Sequence, residues 1–127
     1  MRSRMLTMVL ALAAGTGLAA AARADETVSY KLDVQPILSA RCGECHVPPD
    51  GQGYVKSGLD LSSYAGLMKG TKHGPVVIPG SPLTSNLNVL IEGRAAKELQ
   101  MPHGQRPLLK AQQKIIHDWV AQGAKDN

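Results

Sequence analysis

Phenylalanine is absent from this 127-residue chain, tryptophan occurs once and tyrosine three times, so aromatic residues make up only 3% of it. With 43% hydrophobic residues the chain can still fold, but not around a core of ordinary aromatic bulk. Cysteine is equally scarce. Cys42 and Cys45 are the only two, and a disulfide between them would close a tiny loop and restrain nothing distant. A disulfide-stapled scaffold is therefore excluded. Positive charge is also scarcer than the formal net charge of +4 suggests. Arg2, Arg4 and Arg23 lie in the first 24 residues, which hold no acid, and residues 25–127 carry 11 basic against 10 acidic side chains. That near balance leaves no electrostatic footprint for nucleic-acid binding. No Ser/His/Asp triad, paired-carboxylate site or phosphate loop is recognisable, so hydrolase and kinase chemistries have nothing to rest on.

Residues 1–24 read as a secretory signal peptide. Arg2 and Arg4 form a positive start, an apolar run begins at Met5, and Ala22-Arg23-Ala24 supplies an A-x-A cleavage site. The run is short and interrupted by Thr7, Gly15, Thr16 and Gly17, which suits it poorly to spanning a bilayer. No Cys follows the cleavage site and no twin-Arg pair is present, which favours the general secretion route. The expected product is a soluble, exported protein, periplasmic in a bacterium, with no stable membrane insertion. Its single domain spans residues 25–127. A domain of that size is marginal without disulfides or a bound cofactor.

Cys42-Gly43-Glu44-Cys45-His46 has the C-x-x-C-H spacing of c-type haem attachment. On a helical turn, residues three apart share a face, so both thiols can reach the two vinyl groups on one edge of the porphyrin. His46 then aims an imidazole nitrogen at the iron. The macrocycle itself supplies the apolar bulk that the aromatic count lacks. A thioredoxin-like dithiol needs a βαβ context that the chain does not offer. A zinc site would draw on Cys42, Cys45 and two of His46, His73, His103 and His117, a spacing that matches no common zinc module.

The rest reads as short helices joined by Pro/Gly loops. Asp33 is expected to cap a helix through Val34, Ile37 and Leu38 into Cys42, and residues 47–58 to form a loop. Ser62 or Ser63 caps a helix through Leu67 and Met68 that Gly70 ends. Val76-Val77-Ile78 is expected to pack in extended form against the haem edge. Ser81-Pro82 reads as an N-cap and first helical residue, followed by Leu83, Leu87, Leu90 and Ile91 at helical spacing. The last helix runs from about Leu108 to Gln122, with Ala111, Ile115, Ile116, Trp119 and Val120 as its apolar stripe.

These stretches resemble a class I monohaem cytochrome c, and in particular the planctomycete-type c-type cytochrome domain. The resemblance is carried by Asp33 to Leu38, Cys42 to His46, Gly58-Leu59-Asp60-Leu61-Ser62-Ser63-Tyr64 and Ile78-Pro79-Gly80-Ser81-Pro82. It continues through Ser85 with Leu87, Met101-Pro102, and Trp119-Val120 to Gly123-Ala124. It implies an all-α, small helical domain wrapped around one covalent haem c, with His and Met axial ligands, transferring electrons outside the cytoplasm. Two departures stand out: His103 replaces the second Pro that often follows Met-Pro, and no Ser or Thr caps the last helix near Leu109.

Of the two methionines beyond the leader, Met68 reads as core filler on a short helix. Met101 precedes Pro102, which favours an extended loop, and lies far enough beyond His46 to reach the opposite haem face. Loop position and resemblance together nominate Met101 as the sixth ligand. His103 is its main rival, with His73 and His117 behind it. Closed His/Met ligation describes an electron carrier, alone or as the subunit of a larger redox enzyme, rather than an enzyme in its own right. Its partner is a redox protein docking transiently at the haem edge. Arg94, Lys97, Arg106 and Lys110 flank Met101 in sequence, either ringing that edge or forming ordinary solvated surface. The alternative is a haem peroxidase or small-ligand sensor with a labile sixth position, using His103 and Arg106 as distal groups.

Overall fold

The computed structural model describes residues 26–127, so the signal peptide read over residues 1–24 lies outside the described residues. Five helices follow one another: α1 (Gln35–Cys42), α2 (Gln52–Ser57), α3 (Tyr64–Lys69), α4 (Asn86–Ile91) and α5 (Lys110–Ala121). A π-helical turn, Tyr30–Val34, leads into α1, and a 3-10 turn, Lys97–Leu99, lies between α4 and α5. Among the described residues there is no strand, only an isolated bridge between Thr71 and Gly74. The domain is all-α, as expected. No helix among the described residues is long and apolar enough to cross a membrane.

The start of α1 differs from the sequence reading. Ser29, not Asp33, supplies a side-chain cap, and it caps the π-helical turn that leads into α1 rather than α1 itself: its hydroxyl accepts from the Leu32 amide at 3.2 Å, and the Asp33 carboxylate accepts from the Ser29 amide at 2.8 Å. This reciprocal pairing satisfies two of the donors that a helix start leaves open. Residues 47–58 also depart from expectation, because they contain α2. Gly51 before it and Gly53 within it look like breakers, but the helix is finished by distant groups. The Tyr54 amide donates to the Cys45 carbonyl, and the Lys72 ammonium donates to the carbonyls of Val55 and Lys56. Gly58 then leaves the helix at φ 78°, a left-handed conformation that favours glycine.

Ser63 caps α3 and Gly70 ends it, as read from the sequence. The helix assigned to Ser81-Pro82 instead starts at Asn86, with Ser85 at the cap position and Leu83 70% exposed in the preceding turn. Ser85 is fully buried. Its hydroxyl accepts from the Ile78 amide at 2.8 Å and donates to the Ser81 carbonyl at 2.8 Å. On α5, Ile116, Trp119 and Val120 are buried and Ile115 partly so, whereas Ala111 is exposed and Gln113 takes an inward place. Without a Ser or Thr cap, the Gln112 side chain accepts from the Leu109 amide at 3.0 Å.

Three of the four aromatic residues meet in one cluster. Tyr30 stacks edge-on to Tyr64 with centroids 5.2 Å apart, and tilts onto Trp119 at 5.5 Å. Such contacts join the chain before α1 to α3 and α5. Tyr64 and Trp119 also donate to the carbonyls of Ala124 and Lys125, which holds the chain beyond α5 against the core. Ser85→Ala would remove the fully buried hydroxyl that pairs with the Ile78 amide and the Ser81 carbonyl. We expect it to cost about 1–3 kcal/mol in urea unfolding, with a smaller loss ruling out that hydroxyl as the anchor of the 76–78 segment.

Candidate functional site

α1 delivers Cys42 at its last turn, and the chain then coils tightly so that the amides of Cys45 and His46 both donate to the Cys42 carbonyl. The His46 carbonyl in turn accepts from the Leu61 amide at 2.8 Å, which fixes the histidine backbone from the far side of α2. Cys42 and Cys45 are not joined in a disulfide. Cys45 is exposed, whereas burial pushes the Cys42 thiol up to about 11, against a partial opposing pull from Arg41.

Cys42, Cys45 and His46 open onto a cavity of about 480 Å³, within the range of small-molecule and cofactor sites. The wall is mainly aliphatic: Leu59 and Leu61 before α3, Val76 in the extended stretch, and Leu87, Leu90 and Ile91 on α4. Val77 is buried in the core and Ile78 is 44% exposed, so the extended stretch offers the cavity one valine, not three residues. Met101, Pro102 and His103 close the cavity from the loop after the 3-10 turn. Met101 is partly buried against the core, and its amide donates to the Leu90 carbonyl at 3.2 Å. Met68 packs against the core away from the cavity lining.

The histidines separate clearly. His46 and His103 line the cavity and His73 does not. His117 is engaged elsewhere, its Nδ1 3.0 Å from Glu92 Oε1. Of the basic residues read around Met101, Arg94 is bound to Glu92 and to the carbonyls of Leu83 and Pro82, and Lys110 reaches Gln113. The cations that do line the cavity are Arg41 and Lys56, which proximity to Met101 in sequence could not reveal.

The chemistry of this donor set suits an iron porphyrin. Two thiols and one imidazole open on an apolar space, with a thioether on a second wall. Burial lowers the His46 pKa, with the Leu59 backbone acting the other way, so the ring is neutral near pH 7 and has a lone pair to give. Its Nδ1 is buried without a partner of ordinary hydrogen-bond geometry, so the Leu59 contact falls short of a formed bond.

Gly53 on α2 lies hard against the other edge of that ring. A Cβ there would sit 2.7 Å from both Cε1 and Nε2 of His46, and 3.0 Å from the Cys45 carbonyl. Glycine at this position therefore leaves the imidazole edge clear. On helix propensity alone Gly53→Ala gains about 1 kcal/mol, so any loss isolates the clash. We expect the variant to attach haem but to give a ferric spectrum shifted toward high spin as His46 is pushed away, and a spectrum identical to the parent's rules out this seat.

Comparison with curated proteins and with solved structures gives no match. Residues 42–103 match the family model described as Planctomycete cytochrome C. That span opens on Cys42, takes in His46, α2, α3 and α4, and closes on His103, so it contains almost every residue that faces the cavity. Residues 42–103 thus support a planctomycete-type cytochrome c domain, a family of haem-binding, electron-transfer modules.

Proposed function

We propose that this protein is an exported monohaem c-type cytochrome that passes single electrons between redox partners. The observation that carries this reading is the convergence of Cys42, Cys45, His46 and Met101 on one apolar cavity, with His73 and His117 left outside it. Cys42 and Cys45 would hold a haem by thioether bonds, and His46 and Met101 would ligate its iron. The bound haem supplies one-electron redox chemistry. The chain's own residues exclude water with the aliphatic walls, favour the neutral His46 ring by burying it, and leave the exposed Cys45 side at the surface.

A transient redox partner docks at that edge, where Arg41 and Lys56 give local positive charge to an otherwise balanced molecule. The arginine-rich start and A-x-A site of residues 1–24 support export to the periplasm. The protein acts alone or as the electron-transfer subunit of a larger oxidoreductase.

A second reading is supported by His103, which lines the same cavity two residues from Met101. In that reading the sixth position is labile and the protein is a haem peroxidase or ligand sensor. Optical spectra of the matured protein, oxidised and reduced, separate the two. We expect haem that resists acid extraction, together with the weak far-red band of ferric Met ligation, lost in Met101→Ala. Covalent haem without that band, and open at once to cyanide, would favour the labile site. No haem from a strain competent to attach it would overturn both.

A further inference from the structure

The segment after Met101 is tied down very sparingly. Residues 103–107 are exposed, and Gly104 has φ 69°. The Gln105 amide donates to the Pro102 carbonyl, which is a bond within the segment. Among the described residues, its hydrogen bonds to the rest of the protein are two. At one end the Met101 amide donates to Leu90, and at the other Arg41 Nη2 donates to the Arg106 carbonyl at 2.6 Å. Beyond it the chain is fixed again by buried Leu108.

Arg41 stands on α1 immediately before Cys42, and it lines the cavity. Its bond to Arg106 joins residues 65 positions apart, from the Cys42–His46 side to the loop that brings Met101. We propose that Arg41 is a positioning residue that straps the Met101 loop shut and so sets how readily the sixth iron position opens. The inference rests on Met101 ligation as read above. Opening the loop far enough to withdraw Met101 must break this bond or drag α1 along, and α1 is held by buried Ile37 and Leu38. A guanidinium suits the task because a charged donor bonds a carbonyl more strongly than a neutral one does.

The strap is tested in the ferric holoprotein by mixing with imidazole and following the spectrum. At saturating imidazole the rate is set by departure of Met101 rather than by encounter. Arg41→Ala is expected to raise that limiting rate roughly three- to tenfold, the kinetic equivalent of one net hydrogen bond. Arg41→Gln, which keeps a polar head but is too short and uncharged, is expected to do the same, and it carries the test if the alanine variant fails to mature. The far-red band of both variants should persist at rest.

Limiting rates within about twofold of the parent, in a protein that shows the far-red band, would overturn the strap alone. A shifted reduction potential with unchanged rates would also overturn it, assigning Arg41 to charge at the haem edge instead. A parent protein without the band would overturn Met101 ligation itself, so the two failures are distinguishable.

Discussion

The structure depends first on the packing of Trp119 against Tyr30 and Tyr64. A chain with four aromatic residues spends three of them on this single contact, and it joins the segment before α1, the start of α3 and the last turn of α5. Aliphatic side chains gather around it to make a continuous core. The aromatic bulk is therefore concentrated away from the cavity, whose lining contains no aromatic residue besides histidine. The domain is solid at one end and hollow at the other. A hollow lined by leucine, isoleucine and valine has little to gain from water and much to gain from a large apolar guest.

The fold and the site were legible to different depths. The attachment motif, Ser63 and Gly70 around α3, and the Trp119 stripe were plain because each is a local pattern whose physics is complete within a few residues. Asp33 reads as a cap because Ser29 and Asp33 share one reciprocal arrangement, which belongs to the π-helical turn before α1 and not to α1 itself. α2 was invisible for a different reason. Its carbonyls are satisfied by Lys72, some sixteen residues away, and no short window holds both parts. The same limitation applied to charge. Neighbourhood in sequence set Arg94 beside Met101 without deciding whether it faced the cavity or the solvent, and the fold turns it onto Glu92 and the 82–83 carbonyls and brings in Arg41 from α1.

Glu92, at the C-terminal end of α4, gathers a polar junction next to the cavity wall. Its carboxylate meets Asn88, Arg94 and His117, drawing together α4, α5 and, through Arg94, the turn before α4. Burial alone would raise its pKa, but the bonds from His117, Arg94 and Asn88 outweigh that and hold the group below the ordinary carboxylate value. The junction is charged, partly shielded and shared among several donors. Such groups act as a unit, so removing one member disturbs them all.

α4 is therefore a wall with two different faces. Leu87, Leu90 and Ile91 look into the cavity, while Asn88 and the adjoining Glu92 are fastened to the polar junction behind. A displacement of the cavity wall would have to stretch that junction, and hydrogen bonds to a carboxylate resist stretching far more than aliphatic contacts do. The chamber is elastically stiff on this side. For a centre whose charge changes by one unit each time it works, stiffness has a kinetic meaning. The surroundings of the two charge states stay nearly superimposable, so little nuclear motion has to accompany each electron.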